Sequence, residues 1–358
     1  MKRVFNFGAG PATLPVSVLE EASRGIQEIG GSGMSILEVS HRSKVYEAIH
    51  FDARDRVLKA MGLDPAEYAA LFLGGGASLQ FAMLPMNVLG GGTADYVHTG
   101  EWSGKAIKEA KRFGTVNIAA SSEDKKFSCI PKDLKLTAGA KYVHLTTNNT
   151  IEGTEYNTLP DTGDVPLIVD ASSDILGRAY DFKRFTMIYA GAQKNLGPAG
   201  VTLVVAKRKF LEAATDDVPA ILSYKTHLKN DSLYNTPPAF AIYTVGLVLK
   251  WVEEQGGVAA LDKRNRDRAG ALYNALDASP DVYDPAVTDK ADRSVMNVTF
   301  RLRDVNKEKE FLAGAEALGL DGLKGHRSVG GFRASIYNAM PQAGIDALVG
   351  HVQAFAKK

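Results

Sequence analysis

The sequence predicts an α/β fold, in which helices cover both faces of a mostly parallel sheet, followed by a smaller C-terminal α/β unit. Short apolar runs alternate with helix-like segments up to residue 205. Strands joined through helices need crossover connections, which place the strands parallel in one sheet. A second and shorter alternation follows Gly256 and Gly257, a pair that we interpret as a domain hinge.

The elements of the larger unit follow from the spacing of apolar residues. In 44–61, for example, Val45, Ile49, Ala53 and Val57 fall on one face of a helix. The same reasoning predicts helices at about 15–29, 44–61, 78–88, 104–113 and 240–255, and strands at 69–73, 96–98, 116–119, 142–146, 167–170, 187–189 and 201–205. In the smaller unit it predicts helices at 258–278, 307–318 and from 343, and strands at 295–302 and 332–337.

Composition limits the classes of function. The chain has 358 residues, with 42 basic and 41 acidic side chains and a net charge of +1, so no global field favours nucleic acid or an anionic membrane. Its single cysteine, Cys129, excludes an intrachain disulfide and a cysteine-rich metal site. Neither an apolar leader nor a run of membrane-spanning length is present, so we expect a cytoplasmic protein without a metal, nucleic-acid or membrane partner.

Lys194 is the first candidate for chemistry. It follows a predicted strand at 187–189 and the small residues 190–192, and a glycine-rich turn at 197–200 comes next. A lysine just beyond a strand end can lose hydration, and its pKa then falls, so that it can attack a carbonyl group. A solvated loop lysine explains the same local pattern. Other residues of the chain are needed to distinguish a reactive lysine from a solvated one.

Gly74, Gly75 and Gly76 lie between a predicted strand and a predicted helix. Backbone N–H groups at such a helix start can hold a phosphate. The segment is neither a Walker A motif nor a GxGxxG motif, and a flexible turn accounts for it about as well.

Three further strand ends carry candidate cofactor ligands. Asp170 closes the predicted strand 167–170 and could pair with a protonated ring nitrogen, although it could also cap the turn at 172–174. Trp102 could stack on a flat heterocycle or pack in the core. Thr150 could donate to a phenolate oxygen or stabilise a turn. An Asp and a Lys on neighbouring strand ends are more specific than either residue alone.

Three arginines, two of them preceded by a histidine, suit a small substrate with a carboxylate and a phosphate. They are Arg42 after His41, Arg327 after His326, and Arg333 in the last predicted strand. The planar guanidinium binds either anion through two hydrogen bonds. Surface salt bridges are the alternative explanation, which we accept for the other arginines.

Taken together, these segments resemble the phosphoserine aminotransferases of the fold-type I pyridoxal-phosphate family. The resemblance extends over essentially the whole chain and rests on the order and spacing of FNFGAGPATLP, EVSHRS, LFLGGGASLQF, HTGEWS, NNTIEGTEY, IVDASSDIL, IYAGAQKNLGPAG, YNTPPAF and GHRSVGGFRASIYNA. It implies a large cofactor-binding domain (16–256) with a seven-stranded sheet and a small C-terminal domain (257–358). It also implies an N-terminal segment (1–15) that packs near the small domain and the active site.

The resemblance also implies the role of each site residue. Lys194 would be the Schiff-base lysine and Asp170 the partner of the pyridine nitrogen of pyridoxal 5′-phosphate (PLP). The other cofactor contacts would be Trp102 on the ring, Thr150 on a ring substituent, and Gly76, Ala77 and Gln193 on the phosphate. Asn235 and Thr236 would reach the phosphate site of a second subunit, which implies a homodimer with shared sites. Arg42 and Arg333 would bind substrate carboxylates, and His41, His326 and Arg327 the substrate phosphate.

The implied reaction is reversible transamination between L-glutamate and 3-phosphohydroxypyruvate, giving 2-oxoglutarate and O-phospho-L-serine for serine biosynthesis. Some bacterial members also act in pyridoxine biosynthesis. In one respect the chain departs from part of the family, because some members carry an arginine after the three glycines, where this chain has Ala77 and Ser78.

Two other readings stay open at this point. One is another enzyme of the same fold. A desulfurase would need a catalytic thiol, and a glyoxylate aminotransferase would have no use for a phosphate pocket. A non-catalytic nucleotide-binding module would use the three glycines but would leave Asp170 and Lys194 without a purpose.

Overall fold

The computed structural model describes residues 3–358 of the chain. The elements up to residue 254 are β1 (Phe5–Asn6), α1 (Val16–Gln27), α2 (Lys44–Met61), β2 (Tyr68–Leu73), α3 (Gly76–Val88), β3 (Thr93–His98), α4 (Glu101–Ala110), β4 (Thr115–Ser121), β5 (Val143–Thr146), β6 (Leu167–Asp170), β7 (Met187–Gly191), β8 (Thr202–Lys207), α5 (Arg208–Glu212), α6 (Tyr224–Lys229) and α7 (Ala239–Glu254). They are followed by α8 (Gly257–Asp277), β9 (Tyr283–Pro285), β10 (Asn297–Leu302), α9 (Glu308–Ala317), β11 (Leu320–Asp321), β12 (Phe332–Ser335) and α10 (Gln342–Phe355).

A seven-stranded sheet forms the centre of the larger unit, with the strand order β2-β8-β7-β6-β5-β3-β4. The strands are parallel except for β8, which runs antiparallel to both of its neighbours. The mostly parallel seven-stranded sheet expected from the sequence is therefore confirmed. Because the strands are parallel, their carboxyl ends meet at one edge, where ligands bind in such folds.

Two hydrophobic cores lie on opposite faces of this sheet. Along β2, Ala70 and Phe72 point into the core shared with α1, α2 and α7, whereas Leu71 and Leu73 point into the core shared with α3 and α4. This alternation follows from the two-residue period of a strand. Since both faces are covered, β2 is apolar throughout instead of alternating with polar residues.

The smaller unit has its own core around the antiparallel sheet β12-β10-β9. Inside it Phe300 stacks on Phe332, and Phe311 packs edge-on against Phe300 and at a tilt against Phe332. The first strand of the chain belongs here as well, because Phe5 pairs in parallel with Leu320 of β11, and Phe7 is fully buried in this core. Residues near the start of the chain thus pack against its C-terminal part.

Helix α4 starts earlier than its apolar spacing predicts. The Ser103 hydroxyl accepts hydrogen bonds from the backbone N–H groups of Thr99 and Gly100, at 2.9 and 3.0 Å, and so caps the helix start. As a result Trp102 lies in the first helical turn rather than in a loop, and the helix starts three residues before the predicted position. The sequence analysis also missed α5, α6 and the short strands β1, β9 and β11, which are too short to show a clear period.

Candidate active site

The candidate site lies where β5, β6 and β7 end. Thr146 of β5 pairs with Asp170 of β6, and Asp170 pairs with Tyr189 of β7. The loop after β5 carries Thr150, and the loop after β7 carries Lys194. Sheet register therefore brings three of the predicted site residues to one edge.

The Lys194 amine lies between the loop after β5 and the start of α4. Its Nζ donates a hydrogen bond to Thr150 Oγ1 at 2.8 Å and lies 5.7 Å from the centre of the Trp102 ring. Burial lowers the pKa of the Lys194 amine most, Arg333 adds to the shift, and Asp170 and Asp174 oppose it, which leaves a pKa of about 8. An amine with this pKa is partly neutral near pH 7, which is the state required of a nucleophile.

The lowered pKa predicts how the cofactor-free protein reacts with pyridoxal phosphate. We expect the rate to rise with pH and to level off above about pH 8, because the neutral amine attacks and Lys194 loses its proton near this value instead of near 10.5. The measurement is the rate at which near-visible absorbance develops between pH 6 and 10, with Lys194→Ala giving the background from other lysines. A rate that continues to rise up to pH 10 would show an ordinary solvated amine.

Asp170 is a buried carboxylate with one oxygen already held. Its Oδ1 accepts hydrogen bonds from the Ser172 backbone N–H at 3.0 Å and from the Ser172 hydroxyl at 2.6 Å. Burial raises the pKa of Asp170, whereas the Ser172 bonds and the nearby Lys194 lower it. The turn-capping explanation is thus correct for Oδ1, while Oδ2 has no hydrogen-bond donor among residues 3–358 and can take a cationic ring N–H.

The start of α3 forms a backbone cradle. Gly75 and Gly76 have φ angles of 82° and 66°, a region that glycine adopts without strain, and Gly75 has no side chain to cap the first N–H groups of the helix. A Cβ placed at Gly76 would meet no atom within 4 Å, so there is open space above the helix start. These features fit a phosphate group. Gln193 lies near the site, where its backbone carbonyl accepts a hydrogen bond from Ala12 at 2.8 Å.

Two segments that carry predicted site residues, the start of α4 and the loop after β5, are hydrogen-bonded to each other. Glu152 Oε1 accepts a hydrogen bond from the Glu101 backbone N–H at 2.8 Å, and Thr99 Oγ1 donates to Asn149 Oδ1 at 3.0 Å. These bonds fix the start of α4 beside the loop of Thr150. Trp102 follows at once, half-buried, and its indole Nε1 is buried without a hydrogen-bond partner among the described residues.

Of the predicted substrate ligands, the structure brings Arg333 to this cluster. Its Nη1 lies 3.5 Å from the backbone carbonyl of Thr150, and its Nε is buried without a partner in the described chain. Burial lowers the pKa of Arg333, and Glu152 and Tyr337 oppose the shift. Arg333 is half-buried, and its buried, unused Nε–H is ready to receive an anion.

The other predicted ligands lie further out. Arg42 and Arg327 are exposed, and His326 Nδ1 is 2.7 Å from the Ser328 hydroxyl. His41 is half-buried, and its Nε2 has no hydrogen-bond partner among residues 3–358. The hydrogen bonds and salt bridges of the described chain do not connect these four side chains to Lys194.

Asn235 and Thr236 are exposed, and their one mutual contact is a hydrogen bond of 3.2 Å from Asn235 Nδ2 to the Thr236 carbonyl. Neither residue contacts Lys194 within the described part of the chain. Their predicted role in a second subunit stays a prediction.

Sequence reasoning missed two acidic residues next to the site, Asp174 and Glu152. Asp174 is completely buried four residues after Asp170, and Glu152 is buried two residues after Thr150. The sequence carried a signal for Asp174, because it is another Asp just after the strand end that carries Asp170. It carried no signal for Glu152, since the partners of Glu152 are distant in sequence.

Comparison with known proteins identifies the family. The family model described as Aminotransferase class-V matches residues 4–348. A phosphoserine aminotransferase from Desulfatibacillum aliphaticivorans is 54% identical over 359 residues, covering 99% of each chain. The chain belongs to the class-V aminotransferases, in the phosphoserine aminotransferase group. The resemblance inferred from the motifs is confirmed.

Solved phosphoserine aminotransferases have the same fold. The structure from Bacillus circulans subsp. alkalophilus gives a TM-score of 0.96 at 50% identity and covers 100% of this chain and 99% of its own. One from Trichomonas vaginalis, described as PLP bound, gives 0.90 at 37% identity, with 98% and 100% covered. An alanine–glyoxylate aminotransferase from Nostoc sp. gives 0.77 at 15% identity, a likeness of fold alone. The predicted fold type and PLP as the cofactor of this group are confirmed.

The residues present fit PLP. The uncapped helix start suits its phosphate, the free Oδ2 of Asp170 suits a ring nitrogen, and the Lys194 amine suits its aldehyde. Within residues 3–358 there is no group of three or more His, Cys, Asp or Glu side chains that could hold a metal ion, and no helix is long and apolar enough to cross a membrane.

Proposed function

We propose that this chain catalyses PLP-dependent, reversible transamination between L-glutamate and 3-phosphohydroxypyruvate, forming 2-oxoglutarate and O-phospho-L-serine in serine biosynthesis. The observation that carries the proposal is the cluster of Lys194, Thr150 and Asp170 at the strand ends, in a chain that is 54% identical to a phosphoserine aminotransferase. PLP supplies the electron sink for removal of a proton next to the transferred amino group.

Lys194 is the residue that holds PLP and moves the proton. In its neutral form it is the nucleophile, and as a base it can take the proton from the substrate carbon and return it one position away. Thr150 Oγ1, at 2.8 Å, keeps the amine in place before reaction. With a pKa of about 8, the amine both accepts and releases a proton near neutral pH.

Asp170 and Trp102 hold the ring. The Asp170 carboxylate, fixed by Ser172, keeps a proton on the ring nitrogen, and so favours delocalisation of negative charge into the ring. Trp102 offers its face for stacking. Gly76, Ala77 and Gln193 hold the phosphate, in support of which Gly76 and Ala77 are the first residues of α3.

The ligands of the substrate anions are assigned from the position and the burial of the arginine and histidine side chains. Arg333 binds the α-carboxylate, because its guanidinium is beside Thr150 and has an unused N–H. Arg42 binds a second carboxylate, and His41, His326 and Arg327 bind the substrate phosphate from the rim. Arg42 and Arg327 are exposed, which suits charged groups that enter from solvent.

The finer features are proposed on the same basis. Asn235 and Thr236 complete the phosphate site of a second subunit, which is consistent with their exposure and their lack of contacts with Lys194. We place the domain boundaries after residues 15 and 256, supported by the separate core of the smaller unit. A cytoplasmic location and a second activity in pyridoxine biosynthesis also belong to the proposal.

A two-substrate assay with an arginine pair tests this function. Purified protein with PLP should convert glutamate and 3-phosphohydroxypyruvate to 2-oxoglutarate and phosphoserine. Arg333→Lys should raise the KM of both amino-acid substrates, glutamate and phosphoserine, about 10- to 100-fold, because a bidentate contact to a shared carboxylate is lost.

Arg327→Lys is the matched variant. It should raise the KM of phosphoserine while leaving that of glutamate unchanged, because glutamate carries no phosphate. Equal effects on both substrates would contradict the phosphate assignment. Equal rates with alanine or serine in place of phosphoserine would favour another aminotransferase of the same fold.

A further inference from the structure

Asp174 is a buried carboxylate that the proposed reaction does not use. Its side chain has 0% exposure, its Oδ1 accepts a hydrogen bond from the Thr147 hydroxyl at 2.6 Å, and its Oδ2 accepts one from the Tyr180 hydroxyl at 2.8 Å. No Lys or Arg forms a salt bridge with it among residues 3–358. Burying a carboxylate without a cation is costly, so its presence requires an explanation.

Asp174 is linked to Asp170 through one threonine. Thr147 donates from its backbone N–H to the Asp170 backbone carbonyl at 3.0 Å, and its hydroxyl, which donates to Asp174 at 2.6 Å, lies 3.1 Å from the same carbonyl. Asp170 ends strand β6 and Asp174 follows four residues later. Ser172 holds the Asp170 carboxylate, and Thr147, which follows β5, holds the Asp174 carboxylate. The two carboxylates form one buried acidic pair beneath the candidate site.

The charges of this pair act on each other and on Lys194. Burial, and then the negative charge of Asp170, raise the pKa of Asp174 to about 7. In turn, Asp170 and Asp174 both favour the charged form of Lys194. Of the two carboxylates, Asp174 has the weaker influence on the pKa of Lys194, to which it forms no hydrogen bond or salt bridge within residues 3–358.

We propose that Asp174 is a positioning residue of this site, a second buried carboxylate that stabilises positive charge at Lys194 and on the cofactor ring nitrogen next to Asp170. The proposal rests on the function proposed above. With PLP present, a protonated ring nitrogen and the positive charge at Lys194 are matched by two carboxylates instead of one. Burying Asp174 is then compensated by these cations, which attract it across a medium of low polarity.

A purely structural role makes a different prediction. If Asp174 served only to join Thr147 and Tyr180, replacing it would loosen the loop, and both the reaction with PLP at neutral pH and the affinity for PLP would fall together. If Asp174 acts through its charge, removing that charge should speed the reaction with PLP at neutral pH and weaken the affinity for PLP.

The test is Asp174→Asn, which keeps the shape of the side chain and removes its charge. In cofactor-free protein, we expect the pH midpoint of the reaction between Lys194 and pyridoxal phosphate to fall by about one unit, because the ammonium form loses a stabilising charge. The reaction at pH 7 is therefore faster. The dissociation constant of PLP should rise about tenfold, because the ring cation loses the same support.

The charged groups that act with Asp174 are Asp170, Lys194 and, over the Tyr180 ring, Arg178. Asp262→Asn is the control, since Asp262 lies in helix α8, pairs with Arg178 and Arg266, and is not among the charges that shift the pKa of Lys194. This variant should leave the midpoint unchanged. Thr147→Val removes a hydrogen bond that favours ionised Asp174, so it should shift the pH midpoint in the same direction as Asp174→Asn, but less. It replaces Asp174→Asn as the test if that variant does not fold.

An unchanged midpoint in folded Asp174→Asn or Thr147→Val, or an equal shift in Asp262→Asn, would overturn the proposal. These results leave the proposed function intact as long as the unmodified protein binds PLP through Lys194. If the unmodified protein gives no near-visible absorbance with PLP, the proposed function itself fails.

Discussion

Replacing Lys194 by alanine is expected to lower the transamination rate by about 10⁴-fold, because both the nucleophile and the base for proton transfer are lost. The Lys194 amine is positioned by Thr150 at 2.8 Å, and burial brings its pKa to about 8, so a water molecule cannot take over both tasks. Single-turnover rates with glutamate, followed by absorbance, measure the effect. The near-visible absorbance of the protein-bound cofactor should also be lost after dialysis.

Lys105→Ala is the matched control. The Lys105 amine lies 4.5 Å from the centre of the Trp102 ring, closer than that of Lys194, but it is on the exposed side of α4 and pairs with Glu101 at 3.3 Å. Its removal should change the rate by less than about threefold, as for a surface ion pair. If Lys105→Ala, and not Lys194→Ala, abolished turnover, the assignment of the reactive amine would be wrong.

Replacing Asp170 by asparagine is expected to lower turnover by about 100- to 1,000-fold and to weaken PLP binding. The reason is that a buried carboxylate that holds a proton on the ring nitrogen is a preorganised electrostatic group. Asparagine preserves an oxygen that can accept the Ser172 bonds, at 2.6 and 3.0 Å, so the loss reports on charge rather than on the local turn. The measurements are steady-state rates with saturating PLP and a titration of PLP into cofactor-free protein.

Asp161 offers a control with the same local geometry. Its Oδ1 accepts a hydrogen bond from the backbone N–H of Gly163, two residues later, at 2.9 Å, as Asp170 does from Ser172, but Asp161 is in an exposed loop. Asp161→Asn should leave both rate and affinity within about twofold of the unmodified protein. Retention of full activity by Asp170→Asn would show that the carboxylate only caps its turn.

Local sequence was informative wherever one element carries the signal. The helix predicted at 44–61 is found with those bounds, because its apolar period is complete and Ser43 and Gly62 cap its two ends. Lys194 and Asp170 could be selected because each follows an apolar strand, and in a parallel sheet the strand ends converge. Pattern alone, however, left a solvated lysine and a turn-capping aspartate as alternatives.

Local sequence was less informative where contacts between distant residues set a helix start or the burial of a side chain. The start of α4 depends on the Ser103 cap and on Glu152, which is 51 residues from its partner Glu101. The burial of Asp174 depends on Thr147, which is 27 residues away. No period or motif in the chain encodes such pairings, because they arise only when separate loops meet.

By itself, the sequence determined the layered α/β architecture, the order of the longer strands and helices along the chain, and the residue types needed for a PLP site. These follow from apolar periodicity, from glycine and proline at turns, and from the motifs taken together. Only the tertiary structure decided which groups share one environment: that Lys194 meets Thr150, that Arg333 reaches the same loop, and that Asp170 and Asp174 are buried as a pair. The physical reason is that desolvation and the field of neighbouring charges, which set the pKa of each group, depend on distances in space and not on positions along the chain.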